Sequence, residues 1–304
     1  MSKILVSGLI NFETTLKIDR FPLEYFPVTY PFFGVNGTVS GVGYNVAKAL
    51  KKLGDEVRLI SMTGDDACGR IVPVELGAAG IACENVIKML EHTPQSVIIF
   101  ENSGRRQIHV DLKDIQRTQY PFDKFEAAAE KCDLMALCNI NFSRRFLSAA
   151  KKMRKPIATD VHAISSLDDD YNRDFMEAAD VLFMSDELLP CEPAEWARIV
   201  MSRFKSEVVV IGLGARGALI AVRSKDIMET IPACDIRPVV NTIGAGDSLF
   251  SAFIHFYAAA GDAYSSLKKA MVFAAWKIGG NGGADGFLNE AELLEIYEKK
   301  ARIN

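Results

Sequence analysis

The run Asn241-Thr242-Ile243-Gly244-Ala245-Gly246-Asp247-Ser248 carries residue types suited to moving a phosphoryl group onto an alcohol. Behind it Phe250, Phe253, Ile254 and Tyr257 recur at three- and four-residue steps, the spacing of a helix. Glycines at a helix mouth let the first N–H groups converge, and there the orphan donors and the helix dipole hold an anion. Asp247 stands at that mouth, with no side chain at Gly244 or Gly246 to block a ligand. A carboxylate beside an anion is repulsive unless the ligand brings a hydroxyl whose proton it can take. Anion donors next to a general base are what phosphoryl transfer to an alcohol needs. The plainer alternative is a glycine-rich turn with Asp247 as an ordinary N-cap.

Other motifs narrow the chemistry. Gly212-Leu213-Gly214-Ala215-Arg216-Gly217 matches the dinucleotide pattern G-x-G-x-x-G, but the residues after it, 218–222, are β-like where that pattern demands a helix. The better reading is a turn whose N–H groups and Arg216 face phosphate oxygens, with a plain turn and a solvated Arg216 as its alternative. The dipeptide Gly-Lys is absent, which excludes a P-loop. The four histidines form no H-x-x-x-H pair, and the six cysteines lie far apart without paired ligand spacing. Gly41-Val42-Gly43 ahead of a second helix reads as another point of close approach, with Asn45 one turn inside offering both a donor and an acceptor. Asn11 and Glu13, at the end of the first expected strand, would lie on the same edge.

These groups need a frame to hold them. In 304 residues, 49% are hydrophobic and 24% charged, enough for a full core in a soluble chain. A net charge of −4 with scattered Lys and Arg argues against nucleic acid as a partner. No run is long enough to span a membrane and the N-terminus does not read as a signal peptide, so a cytoplasmic location with reduced thiols is expected. Strands are expected at 4–10, 57–62, 134–138, 156–160, 181–184 and 208–211, with a terminal hairpin at 218–223 and 227–231. Helical spacing covers 40–53, 68–78, 142–153, 171–178, 194–204, 249–260, 264–278 and 290–301. Such alternation gives a doubly wound, mostly parallel sheet with helices on both faces and ligands at the carboxyl ends of its strands. Two stretches break the rhythm. Residues 14–39, rich in Phe, Tyr and Pro, read as extended edge structure, and 96–112 reads as a hairpin around Asn102-Ser103-Gly104.

Taken together, these residues resemble the PfkB (ribokinase-like) family of carbohydrate and nucleoside kinases over nearly the whole chain. The resemblance rests on Gly8-Leu9-Ile10-Asn11 with Asp19-Arg20-Phe21-Pro22, and on Ser40-Gly41-Val42-Gly43-Tyr44-Asn45-Val46-Ala47 with Thr63-Gly64-Asp65-Asp66. Gly212 to Gly217 and Asn241 to Asp247 complete it. It implies a single ribokinase-like α/β domain over residues 1–304, with inserts 12–39 and 95–112 forming a β lid through which a homodimer forms. It implies an ATP- and Mg2+-dependent kinase phosphorylating a hydroxymethyl group of a sugar, sugar derivative or nucleoside. Asp247 would be the base, and the N–H groups of Gly244, Ala245 and Gly246 the anion hole. Gly214, Arg216 and Gly217, with Ser185 and Thr242, would hold the nucleotide; Asn11, Glu13, Gly41 and Asn45 would hold the acceptor; Glu187 would serve the metal. The chain departs from the family pattern at Glu13 (usually Asp), Ser40 (usually Gly) and Asn241 (usually an acid). The family's Asn-x-x-Glu is represented only by Ser185-Asp186-Glu187-Leu188. That last departure leaves open a binding or regulatory protein on the same fold. The lack of an acid near Asn139 and Asn141 points away from ribose as the acceptor.

Overall fold

The computed structural model describes residues 1–280 and 282–301. In chain order its strands are β1 (Lys3–Ser7), β2 (Asn11–Lys17), β3 (Val35–Ser40), β4 (Glu56–Gly64), β5 (Val86–Leu90), β6 (Gln95–Phe100) and β7 (Arg106–Asp111). They continue with β8 (Leu134–Leu137), β9 (Ile157–Ala163), β10 (Val181–Ser185), β11 (Val208–Gly212), β12 (Ala218–Val222) and β13 (Ile227–Ile231). The helices are α1 (Val42–Leu53), α2 (Ala67–Ala78), α3 (Phe122–Ala129), α4 (Asn141–Arg144) and α5 (Phe146–Lys152). After these come α6 (Arg173–Ala178), α7 (Pro193–Arg203), α8 (Ala245–Ala260), α9 (Ala263–Lys277) and α10 (Glu290–Ala301).

The larger sheet runs β13-β12-β11-β10-β9-β8-β1-β4-β5, parallel from β11 to β5, with the β12–β13 hairpin added antiparallel at one edge. Both its faces are apolar, because successive side chains on a strand point opposite ways and both are covered. Ile4 and Val6 of β1 join a core with Leu50 of α1, Phe250 and Phe253 of α8 and Phe273 of α9. Leu5, between them, faces Phe125, Phe146, Phe175 and Trp196 on the other side. Phe183 of β10 receives Phe250 and Phe253 edge-on, with ring centroids 5.2 and 5.1 Å away, and this fixes the first turns of α8 against the sheet.

The smaller sheet runs β3-β2-β6-β7. Several elements differ from expectation, among them α3, which had no expected counterpart. The strand foreseen at 4–10 ends at Ser7, and the chain turns at Gly8, where a Cβ would stand 2.7 Å from the Gly43 Cα. Asn11 and Glu13 therefore lie in the smaller sheet and not at the end of the first strand. Between β2 and β3 no strand forms, since Pro22, Pro27 and Pro31 offer no N–H to a ladder; Tyr25, Tyr30, Phe32 and Phe33 are left exposed. Strand β5, on the sheet edge, had no counterpart in the sequence reading; it is short and only half-buried, so its pattern is faint. The helix foreseen at 142–153 divides into α4 and α5 at Arg145.

One polar tie crosses the first core. His255 of α8 has its Nδ1 2.7 Å from Asp55 Oδ2, and Asp55 Oδ1 accepts from the Ser2 N–H at 3.0 Å, all three residues being buried. Asp55→Ala leaves two buried groups without a partner, so it should lower the unfolding free energy by about 1–3 kcal/mol in urea titration. His255→Ala should cost a similar amount, and the double variant less than the sum.

Candidate active site

Two helices open with glycine, and their mouths are used differently. At α1 the Gly43 and Tyr44 N–H groups both donate to Leu9 O, at 2.9 and 3.3 Å, and Asn45 N–H donates to Gly41 O. Gly41 sits at φ 100 with Leu9 O 2.6 Å from where its Cβ would be. The close approach expected of a ligand there is made by the chain's own β1–β2 turn. At α8 the N–H groups of Gly244, Gly246 and Asp247 find no protein acceptor among the described residues, while that of Ala245 turns back to Thr242 O at 3.2 Å. Ala245 therefore drops out of the expected trio of donors, and Asp247 N–H joins it. Gly244 is left-handed (φ 73) and pressed against the Gly283 carbonyl, which would lie 2.4 Å from a Cβ; no other residue fits.

Asp247 is half-buried in the first turn of α8. Asn45 Nδ2 donates to its Oδ2 at 2.7 Å, and Ser40 Oγ donates to Asn45 Oδ1 at 3.3 Å. Ser40, at a position where the family pattern has glycine, thus orients the amide that holds the acid. Both ends of Asn45 are engaged inside the protein, so its first task is Asp247 and not an outside ligand. Burial pushes the Asp247 carboxyl above the ordinary range, opposed by the Asn45 hydrogen bond and by His162 and Lys277, and reinforced by Asp160. Solvent still reaches the side chain, so the rise is smaller than in a sealed site.

The wall facing this mouth comes from the smaller sheet. Along β2, Asn11, Glu13 and Thr15 are buried while Phe12, Thr14 and Leu16 are partly exposed, so the inward face is the polar one. Register places Glu13 beside Ser96 on β6 and Thr38 on β3. Asn11 Nδ2 donates to Ser96 Oγ at 2.9 Å, but Asn11 Oδ1 and Glu13 Oε1 are buried without a donor among the described residues. Burial raises the Glu13 carboxyl first, with Ser40 opposing and the Asp247 charge adding to the rise. Two orphan acceptors a few residues apart call for a ligand rich in O–H or N–H groups.

The 212–217 turn follows β11 as one 3-10 turn, and β12 leaves it antiparallel, so no dinucleotide helix exists. Gly217 is buried with its N–H on Gly214 O, and Arg216 N–H donates to Leu213 O; neither backbone donor is free for phosphate. Gly214 and Ala215 are exposed. The Arg216 guanidinium is paired with Asp186, a contact the sequence reading did not foresee. Ser185 Oγ accepts from the Glu187 N–H at 3.3 Å, leaving the Glu187 side chain in solvent. Thr242 Oγ1 accepts from Arg106 of β7, which ties the lid edge to the α8 loop.

Three residues near the mouth stand outside the sequence expectations. Arg106 was within one residue of the expected hairpin strand. Asp160 of β9 has a carboxylate oxygen 4.0 Å from the Gly246 Cβ position, and its Oδ1 accepts from the N–H of His162, held at φ 58. Lys277, ending α9, is fully buried. Alternation on a lid strand could have raised Arg106; an acid at a strand end could have raised Asp160. For Lys277 there was no signal, since a lysine in the last turn of a helix ordinarily caps it in water.

Known proteins resemble this chain in sequence and in fold. A family model described as pfkB family carbohydrate kinase matches residues 1–290. The chain is 27% identical over 306 residues to an ATP-dependent ribose-1-phosphate kinase of Halopiger xanaduensis, covering 98% of this chain and 99% of the relative. It is 26% identical to a deoxyribokinase of Salmonella typhi, covering 92% and 93%. The solved structure of a microbiome-derived acarbose kinase superposes with a TM-score of 0.87 at 25% identity, over 98% of this chain and 99% of that one. The ribokinase-like fold, a mostly parallel sheet between helices with a smaller lid sheet, is therefore shared. Matched along nearly its whole length by the family model, this chain belongs to the pfkB family of carbohydrate kinases.

Proposed function

We propose that this protein transfers the γ-phosphoryl group of ATP to a hydroxymethyl group of a sugar, sugar derivative or nucleoside. The observation that carries the reading is the set of N–H groups of Gly244, Gly246 and Asp247, without an acceptor among the described residues, beside the Asp247 carboxylate. The Halopiger relative is named as ATP-dependent, and the relatives as kinases of sugar-type acceptors. Asp247 takes the proton from the acceptor hydroxyl as the oxygen attacks in line, and the α8 amides face the oxygens of the migrating group. Asn45, oriented by Ser40, keeps one carboxylate oxygen fixed, so the other is presented to the acceptor. The orphan oxygens Asn11 Oδ1 and Glu13 Oε1 accept from the acceptor's hydroxyls.

Nucleotide phosphates reach the α8 mouth past the Gly214–Ala215 segment, with Ser185 and Thr242 along the way and Arg216 available once it leaves Asp186. The nucleotide would bring magnesium bound to its phosphates. No cluster of three acidic, His or Cys ligands exists among the described residues, which suits an ion held mainly by phosphates and water through one or two carboxylates. Glu187, solvent-facing beside the turn, is the carboxylate we assign to it, and the ion supplies neutralisation of phosphate charge. The lid's outer face carries Phe12, Leu16, Val35 and Val97 and supports pairing with a second copy.

ATP turnover across a panel of sugars, sugar phosphates and nucleosides tests the reading. Asp247→Asn should lose about 10²–10⁴-fold in kcat with the fold intact; ligand binding without ADP release from the wild type would instead support a binding protein on this fold. Because burial raises the Asp247 carboxyl and the base works deprotonated, kcat should fall on acidification at a pH above the ordinary aspartate range. Glu13→Gln should raise the acceptor KM by about tenfold, for loss of a charge-assisted hydrogen bond, and leave the ATP KM unchanged.

A further inference from the structure

Lys277 is the least expected charge in the molecule. It closes α9 fully buried, with its Nζ donating to Ile243 O and, at 2.6 Å, to Gly282 O. Burial draws its ammonium down to about 8, while Asp247, Asp285 and Glu13 favour the charged form and Arg106 opposes it. The two carbonyls it donates to and the three acids facing it favour its charged form. An unpaired buried ammonium is costly, so the two carbonyls and nearby acids are what hold it there.

The carbonyl it grips belongs to the peptide that supplies the first α8 donor. Ile243 C=O and Gly244 N–H are the two ends of one planar amide and point in opposite directions. With the oxygen pinned inward on Lys277, the N–H must point outward, to the anion site. That peptide is also the one most able to turn over, because it ends in a glycine at φ 73. Turned over, it would aim a carbonyl oxygen at the phosphate. The neighbouring stitches do not prevent this. Asn241 N–H and Val240 N–H both donate to Ile278 O, and Asn241 Nδ2 donates to Gly280 O at 3.1 Å. These hold the preceding segment to the end of α9 but leave the 243–244 peptide free to rotate; the Asn241 Oδ1 contact holds only the Ile243 N–H on its other side.

We propose that Lys277 is a positioning residue for phosphoryl transfer: a cation tethered by the chain itself, which locks the 243–244 peptide with its N–H towards the migrating phosphate. This rests on the phosphotransfer reading above. It predicts that the side chain acts through the peptide without touching either substrate, so its loss falls on kcat more than on the acceptor KM.

Two substitutions and the wild type test it. Lys277→Met keeps the length and apolar stem; kcat should drop about 10²–10³-fold, the loss of one anion-hole donor, with the acceptor KM changed little. Lys277→Ala opens a cradle lined by the Ile243 and Gly282 oxygens, and added ammonium, methylammonium or potassium should restore part of its kcat, since carbonyl oxygens accept such ions. A cooperatively melting Lys277→Met with near-wild-type kcat overturns the proposal, as does a folded Lys277→Ala indifferent to every added cation. If neither variant folds, the wild type decides. Assayed in a buffer of bulky quaternary ammonium ions, its kcat should not respond to potassium or sodium, and a several-fold rise would mean that an outside cation does this work. Absence of turnover in the wild type on any acceptor would instead overturn the phosphotransfer reading, and this one with it.

Discussion

A helix that starts inside a protein must do something with N–H groups its own ladder cannot use. That constraint organises this molecule. At α1 the Leu9 carbonyl takes up two of them, and Asn45, one turn further, is left rigid. At α8 three have no acceptor among the described residues, next to a carboxylate held by that same Asn45. One mouth is consumed in building the scaffold, and the other is the one proposed above to take the ligand. Unengaged amides in a partly desolvated site attract an anion more strongly than they would in water, and they need no rearrangement when it arrives.

Around that mouth the charges are balanced locally. Asp247 and Glu13 gather on one side, where burial raises both carboxyls and the Asp247 charge adds to the rise at Glu13. Lys277 beneath and Arg106 from the lid bring positive charge to the same mouth. On the function proposed above, the arrangement keeps an acid available as a base while leaving space for a polyanion. A phosphate group would then meet N–H groups first and carboxylates only at the acceptor oxygen, where a proton stands between them.

The lid reverses the usual sense of a half-buried strand. In β2 the buried face is polar throughout (Asn11, Glu13, Thr15), while Phe12 and Leu16 lie on the outer face with Thr14 between them. A sheet that covers a core would bury the apolar residues, so the reversal fits the wall of a ligand site, as proposed above. The same reversal leaves an apolar outer face and an aromatic segment, residues 21–33, projecting beyond it.

The main sheet, its two layers of helices and the loop at Gly244 to Asp247 were legible in the sequence because local patterns write them. Period-two runs mark buried strands, three- and four-residue steps mark helices, and paired glycines mark a helix mouth. The separation of Asn11 and Glu13 from the first strand was not legible, since an apolar run through Ile10 conceals a turn made possible by Gly8 meeting Gly43. Nor was the fate of each donor: Gly41 and Gly244 look alike in sequence, and only the packing of the β1–β2 turn on one and the 282–283 segment on the other decides which stays open. Lys277 is the extreme case. Its partners are carbonyl oxygens, which every residue possesses, so no residue type could announce them. Sequence determined which chemical groups exist and which lie on common faces. Tertiary structure alone decided which backbone groups were left unpaired, because that depends on contacts between segments far apart in the chain.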